Sequence, residues 1–135
     1  MRENEKKKMI LVNEENKKVT VLAEIADNIL KKARGLMFRD PRSLGENEGM
    51  LFTFNKDDYH GFWMLCTSMS LEAIFFDSKL GVVDIIQMER QVGILSCFKT
   101  YKPKQKARYV LEVNKGFSKK NNIKINFSKL LSLNL

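Results

Sequence analysis

Hydrophobic and polar positions alternate with a period of two over several short stretches of the 135-residue chain, as in strands that bury one face. In KVTVLAEI (18–25), Val19, Val21 and Ala23 share a face. In ARYVLEVN (107–114), Tyr109, Leu111 and Val113 oppose Arg108, Val110 and Glu112. Further strands are expected at KMILV (8–12), MLFTF (50–54), VVDIIQM (82–88) and NIKINF (122–127), leaving 128–135 as a C-terminal tail. FWMLCT (62–67) and AIFFD (73–77) are apolar at nearly every position, the pattern of strands buried on both faces. Thr67 to Glu72 then reads as a polar bend between them, and NKDDYHG (55–61) as a polar turn. The period changes only at residues 27–34, where Asp27 is placed to cap a short helix, Leu30, Ala33 and Arg34 fall at helical offsets, and Gly35 ends it.

Short strands recurring with turn signals between them, and one helix, predict a mainly β fold. The expectation is a single antiparallel β-sandwich or barrel spanning 1–135, with its core at about 8–127. No apolar run reaches the ~18 residues of a membrane span, and the N-terminal MILV is too short for a signal-peptide core. These features lead to the expectation of a soluble, cytoplasmic protein.

Charge changes the picture at one end. Residues 1–98 carry 14 Lys and Arg against 15 Asp and Glu, whereas residues 99–135 carry 10 against the single Glu112. Almost all of the formal +8 lies in the last third, which points to an anionic partner or surface. Cys66 and Cys97 form neither a C-x-x-C pair nor a zinc spacing and are expected as reduced thiols. Metal-binding and phosphate-loop motifs are missing, so neither metal nor cofactor is expected.

Several separated blocks carry a resemblance. ARGLMFR, GMLFTF, FWM with Thr67, IFFD and YVLEVNKG occur in this order, and together they resemble domain-of-unknown-function family 192 over residues 18 to 127. The resemblance implies a compact, jelly-roll-like β domain with one short helix, and no assigned activity. Where that family commonly carries Lys-Asn-Thr and then Pro-Leu-Asp, this chain has Leu65-Cys66-Thr67 and Ser70-Leu71-Glu72. Near the end, Asn126-Phe127 replaces a Gly-Asp pair.

Candidate chemistry follows from isolated polar groups in apolar surroundings. Arg39 follows GLMF and offers a fork for a carboxylate or phosphate, or for Glu72, the lone charge in its apolar run. With Thr67 and Trp63 they outline a site for an anionic small molecule, a carbohydrate or a protein partner, in a binding module rather than an enzyme. A second reading uses Lys99, Tyr101, Lys102, Lys104, Lys106 and Arg108 for nucleic acid. In an extended chain the even-numbered cations from Lys102 onward line one face, with Phe98, Tyr101 and Tyr109 interleaved for stacking. The other reading of those lysines is a solvated strand edge that discourages aggregation. A third reading, a hydrolase or thiol enzyme, uses Glu72 or Cys66. Cys66 in its apolar run is expected to be a buried thiol, and His60, an exposed loop residue, lies about 20 Å away along an extended chain.

Overall fold

The computed structural model describes residues 5–91, 99–131 and 133, so Cys97 and Phe98 lie outside the described residues. The strands are β1 (Lys6–Val12), β2 (Lys18–Ala26), β3 (Glu48–Asp58), β4 (Phe62–Trp63), β5 (Leu71–Phe76), β6 (Val82–Met88), β7 (Thr100–Tyr101), β8 (Ala107–Asn114) and β9 (Lys129–Leu130). Two short helices accompany them, α1 (Ile29–Arg34) and α2 (Phe117–Asn121). The fold is mainly β. Seven strands form one sheet in the order β6-β5-β8-β3-β2-β1-β9, and β4 pairs with β7 in a separate ribbon.

One pairing departs from the antiparallel expectation: β2 and β3 run parallel, from Leu22 opposite Glu48 to Ala26 opposite Phe52. Parallel neighbours need a long crossover connection rather than a hairpin. Residues 27–47 supply it, carrying α1 and a short 3₁₀ turn at Pro41–Ser43.

The sheet curls until its two ends meet. The Leu130 N–H donates to the Leu80 carbonyl and the Val82 N–H to the Ser128 carbonyl, both at 2.9 Å. Residues expected to be a tail thus close the curl, and Leu130 is buried. The NIKINF segment is not a strand. Asn122 and Asn126 take left-handed φ of 56° and 69°, which breaks the extended run, while α2 just before it carries no hydrophobic period to announce itself.

Apolar residues form a cluster on each face of the sheet. Met9, Leu11, Val21, Leu51, Ile74, Phe76 and Leu111 pack inside the curl. Met50, Phe52, Phe75 and Val110 pack on the opposite face, beneath Leu36 of the crossover and Phe62 and Met64 of the ribbon segment. Covering on both faces explains why β5 is buried at every position.

Local details differ from the sequence pattern in instructive ways. Asn28, not Asp27, caps α1, its side chain accepting from the Lys31 N–H at 2.9 Å. Leu30 is 82% exposed, so α1 buries no residue and its helical spacing does not mark a core face. β3 runs on through the expected turn to Asp58, with an irregular register between Thr53 and Asp58. FWMLCT is a strand only at Phe62–Trp63. Cys66 then adopts φ 51°, and its amide is held by the Gln91 side chain at 2.6 Å, so the bend begins before Thr67. Glu72 consequently lies in β5 rather than in the bend.

If β9 closes the curl, truncating its buried side chain loosens both ends of the sheet. Leu130→Ala is expected to lower unfolding free energy by about 2–5 kcal/mol, measured by urea titration.

Candidate functional site

The expected constellation of Arg39 with Glu72 does not form. The Arg39 guanidinium reaches Glu24 of β2, Nη1 to Oε2 at 2.8 Å, with the Glu24 side chain 10% exposed. Glu72 is fully buried on the inner face of the sheet. Its Oε1 accepts from Gln87 Nε2 at 2.6 Å and its Oε2 from the Ser118 N–H at 2.8 Å, so the carboxylate tethers the start of α2. The two expected partners therefore serve different packing tasks on different faces. Arg39→Met, which leaves Glu24 buried without its cation, is expected to cost about 1–3 kcal/mol in a thermal or urea unfolding measurement.

Trp63 and Thr67 do come together, in a cavity of about 290 Å³ on the outer face of the sheet. Phe52 and Phe54 of β3 and Phe62 of β4 form its aromatic walls, with Lys32 to Met37 of the crossover along one side. Phe62 meets Phe52 edge-on at 5.1 Å between centroids, which locks both rings. Trp63 is 48% exposed, so it does not supply core volume. Its indole N–H donates to the Ala33 carbonyl at 3.4 Å, which ties the ribbon to the end of α1. Thr67 is buried, and its hydroxyl donates to the Leu65 carbonyl at 3.2 Å, leaving the oxygen free to accept.

The decisive group in this cavity is Glu112, on β8. It is 4% exposed, lines the cavity, and makes no hydrogen bond or ion pair among the described residues. Register explains how it arrives there: Glu112 lies opposite Met50 on β3 and Ala73 on β5, so apolar side chains flank it across both neighbours. Gly35 roofs it. A Cβ at Gly35 would stand 3.8 Å from Glu112 Oε1 and 3.6 Å from the Phe52 ring, and the left-handed φ of 48° also favours glycine there. Burial alone pushes the Glu112 carboxyl up from an ordinary 4.5 to about 8, because no cation is near enough to draw it back down. At neutral pH it is a protonated acid, both donor and acceptor.

Alternation places Glu112 on one face with Arg108 and Val110, and that face is covered as the other is. The available signal was a lone carboxylate inside the apolar run YVLEV, the single acid of the basic third. Beside the cavity, Arg39, Cys66, Thr67 and Gln91 border a wider hollow of about 810 Å³. Cys66 is half-buried there rather than fully buried. His60 is half-buried too, stacked on Phe54 at 3.6 Å with its Nε2 3.0 Å from the Lys56 carbonyl.

The basic segment does not form one extended row of cations. β7 ends at Tyr101, Pro103 is buried, and β8 starts at Ala107. Lys99 Nζ sits 4.8 Å over the Tyr101 ring, and the Tyr101 hydroxyl accepts from the Glu89 N–H at 3.3 Å. The Lys104 N–H donates to Asp84 Oδ2 at 2.8 Å, which pins the turn to β6. Lys102, Lys104 and Lys106 are exposed and Arg108 half-buried. Among the described residues no group of three or more His, Cys, Asp or Glu is arranged to hold a metal ion, and no helix is long and apolar enough to cross a membrane.

The DUF192 family model, described as "Uncharacterized ACR", matches residues 10–128. The chain belongs to this family. It is similar to a UPF0127 protein of Pyrococcus horikoshii, 39% identical over 92 residues, 68% of this chain and 71% of the relative. A UPF0127 protein of Pyrococcus abyssi is 37% identical over 102 residues, covering 71% and 74%. Among solved structures, a Sinorhizobium meliloti protein proposed to be a transcription regulator superposes with TM-score 0.83 at 24% identity, over 96% of this chain and 95% of that one, a likeness of fold alone. A protein of unknown function from Novosphingobium aromaticivorans gives TM-score 0.80 at 26% identity, over 94% and 85%. Cys66 borders the hollow beside Arg39, while Glu112 stands within the YVLEVNKG block.

The raised Glu112 carboxyl has a signed consequence. Below about pH 4.5 folded and unfolded chains both hold its proton; between there and about pH 8 only the folded chain does. This site's contribution to stability is therefore full at acid pH and is lost as pH rises through that window. Urea titrations of the wild type and Glu112→Gln at pH 5 and pH 8.5 are expected to show the wild type losing up to a few kcal/mol relative to the variant.

Proposed function

We infer that the chain is a non-enzymatic binding module for a small hydroxylated ring, a carbohydrate unit, held in the aromatic cavity over β3 and β8. The observation that carries this reading is Glu112: a buried carboxyl without a partner, facing a cavity. A buried polar group left unpaired costs stability, and a ligand hydroxyl would recover that cost as binding energy. The volume of about 290 Å³ is at the small end of ligand pockets and suits a single ring. Trp63, half-exposed at the cavity and held by Ala33, offers a flat apolar face, while Glu112 and Thr67 offer polar contacts around it. The site thus keeps Trp63 and Thr67 of the sequence-based constellation and replaces Arg39 and Glu72 with Glu112.

The nucleic-acid reading has weaker support, because its cations are divided between a ribbon and a turn and Tyr101 is engaged at its ring and its hydroxyl. A thiol or hydrolase reading has no geometry behind it. Glu72 is satisfied by Gln87 and Ser118, and His60 is occupied by Phe54 and Lys56.

Trp63 is the single tryptophan, so the site contains its own reporter. Neutral hexoses and their uronic acids, titrated at millimolar concentration, are expected to change its fluorescence saturably. Calorimetry is expected to show at least a tenfold loss in Glu112→Leu and Trp63→Ala, and little loss in Glu112→Gln at pH 7, where both side chains donate and accept. A flat response across the panel would refute the reading.

A further inference from the structure

The cavity lining brings two kinds of polar group together. Glu112 and Thr67 stand among aromatic rings, and Lys32 and Arg34 come from α1. Lys32 Nζ stands 4.4 Å over the Phe54 ring, which fixes the ammonium beside the aromatic wall. Its neighbour in sequence, Lys31, faces Asp27, but among the described residues neither Lys32 nor Arg34 has a carboxylate within ion-pair distance. Arg34 is exposed and Lys32 half-buried, so both remain open to a ligand.

Arg108 shares the face of β8 with Glu112 but is not among the residues that line the cavity. On β2, Glu24 lies beyond Met50 in the same cross-strand row and is matched by Arg39. β5 presents Ala73 and β3 presents Met50 and Phe52. Asp27 borders a separate hollow with Lys32 but faces Lys31, and Glu112, uncharged at neutral pH, is the one carboxyl among the described residues that line the cavity.

We propose that the cavity selects a hydroxylated ring bearing one anionic group, a carboxylate or a phosphate ester, with its hydroxyls at Glu112 and Thr67 and its anionic group at Lys32 and Arg34. This rests on the carbohydrate reading above and names the class of ligand within it. An uncharged ring meets half of the available partners. An acidic ring meets all of them, and a guanidinium–oxyanion contact is stronger than a neutral hydrogen bond.

The test is a calorimetric titration of the full chain at low ionic strength, read in parallel by Trp63 fluorescence. The probes are glucose, galactose and mannose, their uronic acids and their 6-phosphates. Acidic members are expected to bind at least tenfold more tightly than the parent hexoses, with an advantage that shrinks in added salt. In Lys32→Gln/Arg34→Gln, two positions on α1, which buries no residue, the ratio of acidic to parent hexose affinity is expected to fall to about one. Uronic acids gaining over 6-phosphates identifies a carboxylate reader, and the reverse identifies a phosphate reader. Equal affinity for neutral and acidic rings, or an equal loss of both in the double variant, overturns the proposal and leaves the carbohydrate reading standing. Absence of binding by every probe overturns that reading, and this one with it.

Discussion

The architecture depends on the pairing of β8 with β5 on one side and β3 on the other. β3 carries β2, β1 and β9 with it, and β5 carries β6, so the long ladders that join the two parts of the sheet both run through residues 107–114, and the parts meet again only at the short closing contact of β9. Because both faces of this central strand are covered, each of its side chains from Val110 to Val113 is buried, whatever its polarity. A carboxylate in that strand has no route to water except through a cavity. Glu112 and its cavity are therefore one feature: the strand's position imposes burial, and Gly35 above leaves room over the carboxyl.

The outer face has three layers of support for that cavity. The sheet provides Phe52 and Val110, the crossover between the parallel strands provides Leu36 and the glycine roof, and the β4–β7 ribbon provides Phe62 and Trp63. Only the sheet is held by a long ladder. The ribbon pairs two residues with two, Phe62 with Tyr101 and Trp63 with Thr100, and is tied to the crossover by the indole hydrogen bond and, just beyond β4, by the Phe38 N–H donating to the Cys66 carbonyl at 2.8 Å. The cavity thus combines a floor held by long ladders with walls held by a few hydrogen bonds.

Much of the fold is legible in the sequence alternation of β2 and β8 and, in part, of β6, where apolar and polar residue types take turns even though burial does not follow them everywhere. Legibility fails where a different force decides. The apolar run FWMLCT reads as a strand, yet the left-handed turn at Cys66 and its bond to Gln91, 25 residues away, end it after two residues. The parallel β2–β3 pair leaves no mark in either strand, since its cause is the length of the connection. The resemblance to DUF192 was legible from separated blocks, and the family match extends it to residues 10–128. The site was half legible: Trp63 and Thr67 stand out by composition, whereas Glu112 looks like the solvent side of an ordinary amphipathic strand until the covering of that side is known. Arg39 and Glu72 stand out equally, but each is matched locally by a group that sequence distance hides, Glu24 in one case and Gln87 with Ser118 in the other.

The closing contact at β9 has a consequence for how the chain acquires its shape during synthesis. Leu80 and Val82, near the middle of the polypeptide, wait for Leu130 and Ser128 before their backbone groups find partners. Before residues 107–130 have left the ribosome, the nascent chain holds β1, β2 and β3 as one piece and the β5–β6 hairpin as another, with neither β8 nor β9 to join them. Closure of the curl is thus a non-local step that waits for residues 107–130, slow by the standard of chains with local contacts.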